Sequence, residues 1–162
     1  MYSFVSSPQA WTQGTSAFER FRELYPHRCE MYGYETRGGH LDHDTCNRKM
    51  AEGFFTEHFK DLEAYGLTCL ESMMLGTPIV SLHRLMAGKS LGAFFLDETN
   101  AVLADTVEEL IERLLFLSIE EYRRLSENAR ERVLELTSDE RTVAKLKAAI
   151  CASEKKRAKL LA

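Results

Sequence analysis

Two short runs constrain the fold of this chain most. PIVSL at 78–82 and AVLA at 101–104 are apolar almost throughout, and helix signals surround both. A strand that is apolar on both sides is buried on both sides, which is the pattern of a parallel sheet covered by helices on each face. YSFVS at 2–6 and CEMYGY at 29–34, the latter reaching Gly33 and Tyr34, read as two further strands. Helical patterns lie between and after them. Gly14 is expected to open a helix over TSAFERFRELY, with Phe18, Phe21 and Leu24 at helical spacing. Thr68-x-x-Glu71, Thr106-x-x-Glu109 and Ser118-x-x-Glu121 are capping-box patterns. The first predicts a helix from near Cys69, with Leu70, Met73 and Met74 on its apolar face, stopped by Gly76 and Pro78. The second predicts one packed through Val107, Leu110, Ile111, Leu114 and Leu115. The third predicts one packed through Tyr122, Leu125, Ala129, Val133 and Leu136. Ser138 is expected to open a last helix to about residue 160, with Val143, Leu146 and Ile150 facing inward and its end projecting. ETRGGHLDHD at 35–44 reads as a polar loop, and AEGFF at 51–55 as a weak strand or a helix end. Strands alternating with helices over 162 residues give the expected fold class: one α/β Rossmann-like domain spanning 1–162, a parallel sheet flanked by helices.

Composition removes several function classes. The net charge of −4 argues against binding a nucleic-acid backbone over the whole surface, so nucleic acid is not an expected partner. The one dense basic run, Lys155, Lys156, Arg157 and Lys159, reads as a solvated helix end. No apolar run approaches the ~20 residues of a membrane-spanning helix. MYSFVSSPQAW lacks the charged segment and long apolar stretch of a signal peptide. Cys29, Cys46, Cys69 and Cys151 are scattered, without a C-x-x-C pair, and read as reduced thiols. Together these make a cytoplasmic location the expectation.

In a parallel sheet with helices on both faces, ligands sit where strands end and helices begin. The stretch EAYGLTCLESMMLGTPIVS, Glu63 to Ser81, is such a place. A helix starting near Thr68 presents unpaired N–H groups at Gly66, Leu67 and Thr68, and these with the helix dipole favour a phosphate. Gly66 allows close approach of a ligand to the backbone. Glu71, in the first turn, can accept from the paired hydroxyls of a ribose, and Glu63, before the helix, from hydroxyls at the other end of the ligand. The bland alternative is a capping glutamate at 71 and a solvated one at 63. His40, His43 and Cys46 recur at intervals of three but lack a fourth ligand, so no metal is expected. AGKS at 87–90 falls short of a phosphate loop, since His83 stands where a glycine is needed, although Lys89 is placed to reach a phosphate.

Glu63 and Glu71, with seven residues between them, match the E-x7-E motif of retaining glycosyltransferases of the GT-B fold, of the group 1 type. YGLTCLESMMLGTPIVS is similar to that family's G-F-G-L-T-x-L-E-A-M-A-x-G-x-P-V-V, and the run from AVLADTVEEL to NARERVLEL resembles its tail. The resemblance covers nearly the whole chain, as the C-terminal, donor-binding half of the enzyme. It implies half of a GT-B fold that binds a nucleotide diphosphate sugar and transfers the sugar with retention. By position it implies Glu63 as the catalytic-site residue on the donor sugar, Gly66, Leu67 and Thr68 on the diphosphate, and Glu71 on the ribose. The loop at Gly33 and Tyr34 would lie near the base. It implies no metal and no cofactor beyond the donor itself. The acceptor would be held by an acceptor-binding domain or partner chain, with self-association through the C-terminal helix as the other expected assembly. The sequence departs from the family in its first loop. Where the family supplies Arg and Lys, SSPQAWTQG carries Ser6 and Gln13; Arg37 and Lys89 are the candidates to replace them. That departure supports the alternative of a non-catalytic binding or interaction module that kept the fold.

Overall fold

The computed structural model describes residues 1–4, 12–60, 66–87 and 95–140, without the side chains of 12–14. In chain order the elements are β1 (Tyr2–Phe4), α1 (Thr12–Leu24), β2 (Glu30–Tyr32), α2 (His43–Glu52), β3 (Thr56–Glu57), α3 (Leu67–Met74), β4 (Ile79–Leu82), α4 (His83–Met86), β5 (Ala101–Ala104), α5 (Val107–Phe116) and α6 (Ile119–Thr137). The five strands form one sheet in the order β2-β1-β3-β4-β5, and every pairing is parallel. The expected fold class is therefore observed. The chain moves outward from β1 to β2, then returns past β1 to β3, so the direction of winding reverses between β1 and β3.

Right-handed crossovers place α1 on one face and α2 and α3 on the other. Strand alternation sorts the side chains accordingly. Phe4 and Tyr32 face α2 and enclose Met50, with Tyr2, Leu41 and Cys46 against them. Phe18 and Phe21 of α1 are 0% and 2% exposed and join the main core with Ile79, Val80, Leu82, Leu103 and Leu110. α6 contributes Leu125, Ala129 and Val133 to that core.

Several boundaries differ from the sequence reading. α1 begins at Thr12 rather than after Gly14, and Leu24 at its end is 47% exposed. Leu115, placed on the apolar face of α5, is 62% exposed. The polar loop expected at 35–44 gives way at His43 to α2, whose last turn takes up Ala51 and Glu52. β3 and α4 are additional elements. α6 ends at Thr137; Ser138 is extended and Asp139 and Glu140 are helical, in line with a helix opened by Ser138, whose remainder lies outside the described residues. Among the described residues no helix is long and apolar enough to cross a membrane.

Candidate functional site

β3 ends beside the point where the winding reverses, and a crevice at the carboxyl ends of strands at such a point is where ligands bind in open α/β sheets. The chain leaves β3 through His58, Phe59 and Lys60 and re-enters the described residues at Gly66, directly before α3. Glu63 lies outside the described residues, as do Ser6 and Lys89.

α3 starts earlier than the capping-box pattern predicts. Gly66 holds the cap position in the left-handed conformation, φ 68° and ψ 49°, which glycine adopts without strain. Thr68 is thereby the second helical residue and caps nothing. Cys69 and Leu70 donate to the Gly66 carbonyl at 2.9 and 3.2 Å. The N–H groups of Leu67 and Thr68 have no hydrogen-bond partner among the described residues. Among the described residues two donors therefore stand open at the positive end of the helix dipole, beside the side-chain-free Gly66.

Buried contacts fix the rotation of α3. Cys69, Ser72 and Met73 face the core. Ser72 Oγ sits 2.7 Å from Thr56 Oγ1 and 3.0 Å from the Thr77 carbonyl oxygen, and Thr77 Oγ1 donates to the Met50 carbonyl at 2.7 Å. These bonds tie α3 to β3 and to the end of α2. With Ser72 pinned inward, Glu71 turns to the side and faces α2. Its Oε1 lies 3.9 Å from His43 Nε2. Glu71 is thus not a capping glutamate, and its half-exposed carboxylate stands one turn along from those amides.

The loop after β2 meets α2 on the same side of the molecule. Gly33 donates its N–H to the Gly39 carbonyl at 2.9 Å, and its own carbonyl accepts from the Thr36 N–H and hydroxyl. Gly33 is therefore engaged within its loop, whose positive-φ positions are Gly33, Glu35 and Gly39, at φ 144°, 62° and 71°. Tyr34 is 61% exposed and stacks on His40, with ring centroids 4.4 Å apart and planes 8° from parallel. His40 is occupied by that stack and His43 by Glu71, so the interval of three that hinted at a metal does not gather its members. Among the described residues no three His, Cys, Asp or Glu side chains cluster closely enough to hold a metal ion.

A cleft of about 710 Å³ lies elsewhere, between α1 and the loop after β2. Arg22 and Arg37 line it, but so do Glu19, Glu30 and Glu35. Three carboxylates against two guanidinium groups suit a doubly negative ligand poorly. Arg37 sits in this cleft, not in a cluster with α3.

Two residues at the end of β3 had no place in the sequence reading. Glu57 is 4% exposed, and burial pushes its carboxyl up to about 8. Lys60, half-buried three positions on, is a cation at the carboxyl end of the central strands. An acidic residue within a short T-E-H-F-K run masks a strand, which is why neither was singled out.

No family model matches the sequence, and no curated protein matches it. Solved structures do. TarM from S. aureus, crystallised as a point mutant in complex with fondaparinux, α-GlcNAc-glycerol and UDP, superposes with a TM-score of 0.68 at 15% identity, over 91% of this chain and 34% of TarM. The C-terminal domain of the glycosyl transferase group 1 family protein LpcC from Francisella tularensis gives 0.57 at 10% identity, over 84% of each chain. WaaG, a glycosyltransferase involved in lipopolysaccharide biosynthesis, gives 0.58 at 17% identity, over 85% of this chain and 43% of WaaG. The fold is that of the Rossmann-like half of GT-B glycosyltransferases. The chain spans about a third of the length of TarM.

Proposed function

We propose that this chain binds a nucleotide diphosphate sugar at the N-terminus of α3 and serves as the donor half of a retaining glycosyltransferase. The acceptor would be held by a further domain or chain. The observation that carries this reading is the joint placement of the open Leu67 and Thr68 amides and the Glu71 carboxylate beside the winding reversal. The amides and helix dipole take the diphosphate, where negative charge grows as the sugar leaves. The carboxylate accepts from the ribose hydroxyls. Glu63, by its spacing, is assigned to the donor sugar, and the exposed Tyr34 face to the side of the base. The presence of UDP in the TarM complex supports the same ligand class.

Calorimetric titration with UDP-, GDP- and ADP-sugars tests this. Glu71→Ala removes two charge-assisted hydrogen bonds, and affinity is expected to fall by about a hundredfold or more. Unchanged affinity in that variant would remove the ribose assignment. The lack of any cation in SSPQAWTQG favours a second reading, a module that binds without transferring. Donor hydrolysis catalysed by the chain would eliminate it.

A further inference from the structure

Leaving diphosphates are normally held by positive side chains as well as by backbone amides. SSPQAWTQG offers none. The structure brings a different one to the site. His43, the first residue of α2, sets its Nε2 3.9 Å from Glu71 Oε1. Glu71 is the sole charged residue of α3, and no other element presents an ionised partner to the ring at this distance among the described residues. On its own helix the ring has the Asn47 amide nitrogen 3.4 Å from Nδ1, with Asp42 and Asp44 as sequence neighbours and the Cys46 thiol three residues on. That thiol is held up by burial first and by the Glu71 charge second, which places Glu71 and α2 within mutual electrostatic reach.

We propose that His43 is a further donor-binding residue: as an imidazolium it supplies, from α2, the positive charge that the first loop lacks, beside the carboxylate that takes the ribose. The proposal rests on the reading of Glu71 and α3 given above. The pair is long and both partners are open to water, so it holds Glu71 weakly and leaves its second oxygen for hydroxyls. Glu71 lies one helical turn from the open amides, about 5 Å along the axis. The imidazolium therefore stands within about one Debye length of a bound diphosphate. Histidine gains its charge between pH 8 and pH 5, whereas the two phosphates of a nucleotide sugar keep theirs. At low ionic strength, a single positive charge at about 8 Å from two negative ones in a water-like medium strengthens binding about fivefold.

The test is calorimetric titration of the full chain at low ionic strength, at pH 5.5 and pH 8, with UDP-glucose, GDP-mannose and ADP-glucose. The tightest of the three is then carried through His43→Gln and His43→Lys. The wild type is expected to bind about fivefold more tightly at pH 5.5. His43→Gln should bind equally at both values, at the wild-type strength of pH 8, and His43→Lys tightly at both. A wild type without pH dependence, or His43→Gln with the wild-type slope, overturns the proposal and leaves the donor site standing. Failure of all three donors to bind at either pH overturns the donor site and this proposal with it.

Discussion

Glu57→Gln is expected to flatten the pH dependence of stability between pH 5 and pH 8. Glu57 is one of the two residues of β3, and Ser3 is its partner across the sheet on β1. Its side chain is enclosed, and its Oε1 has no hydrogen-bond partner among the described residues. Burial is the dominant influence and drives the carboxyl up to about 8; the Ser3 hydroxyl, the Phe59 N–H and the Lys60 charge pull the other way and offset only part of it. The folded protein therefore keeps a proton that the unfolded chain releases above the ordinary carboxyl range. The stability linked to that proton is fully present below the unfolded value and is lost as pH rises through about 8. Between pH 5 and pH 8 the loss is on the order of 3 kcal/mol, a sizeable share of a typical domain's stability. Urea midpoints at pH 5, 6.5 and 8 should fall for the wild type and hold nearly steady for Glu57→Gln. Parallel declines in both proteins would show that Glu57 is ionised in the fold.

Phe59→Ala is expected to cost about 3–5 kcal/mol and to weaken donor binding as well. Phe59 is 2% exposed, and its ring centroid lies 6.0 Å from that of Phe21 on α1. The preceding residue is fastened on the other side: His58 donates its N–H to the Val80 carbonyl at 2.9 Å, and its carbonyl accepts from Ser81 Oγ at 2.5 Å. These contacts set the direction in which the chain leaves β3 toward Gly66. Removing the ring opens a cavity and frees that exit. Phe59→Leu keeps most of the volume and should cost less than about 1.5 kcal/mol with affinity nearly retained. Full donor affinity in a strongly destabilised Phe59→Ala would show that the α3 N-terminus is set without the exit of β3.

The parts of the fold legible in the sequence are those with a strong local signal. AVLA coincides with β5 because a short apolar run between a turn and a cap has one reading. Ser118 and Glu121 form the full reciprocal box at the start of α6. At α5 Thr106 accepts from the Glu109 N–H as expected, while the Glu109 carboxylate reaches one residue further back, to the Asp105 N–H at 2.9 Å. α2 was illegible because HDTCNRKMAE buries Met50 alone and has no apolar stripe; its remaining signal is Asp42, whose side chain accepts from the Thr45 N–H at 2.9 Å. β3 was illegible because two residues, one of them a glutamate, carry no alternation. Its pairing is imposed by β1 and β4 on either side.

The candidate site divides in the same way. The spacing of Glu63 and Glu71 and the glycine at 66 could be read from the sequence. The side-chain direction of Glu71 could not, since it depends on a left-handed Gly66 starting the helix early and on Ser72 being locked beneath the sheet. His43 was equally hidden, because a surface contact between two helices distant in sequence leaves no local pattern.

The central claim is that a nucleotide sugar lays its diphosphate on the first amides of α3. Amide chemical shifts of the 15N-labelled chain, followed while UDP-glucose, GDP-mannose or ADP-glucose is added, test it most directly. The account predicts the largest changes at Gly66, Leu67 and Thr68, lost in Glu71→Ala at the same donor concentration. Changes confined to the cleft lined by Glu19, Arg22 and Arg37, with the α3 amides unmoved, would contradict it.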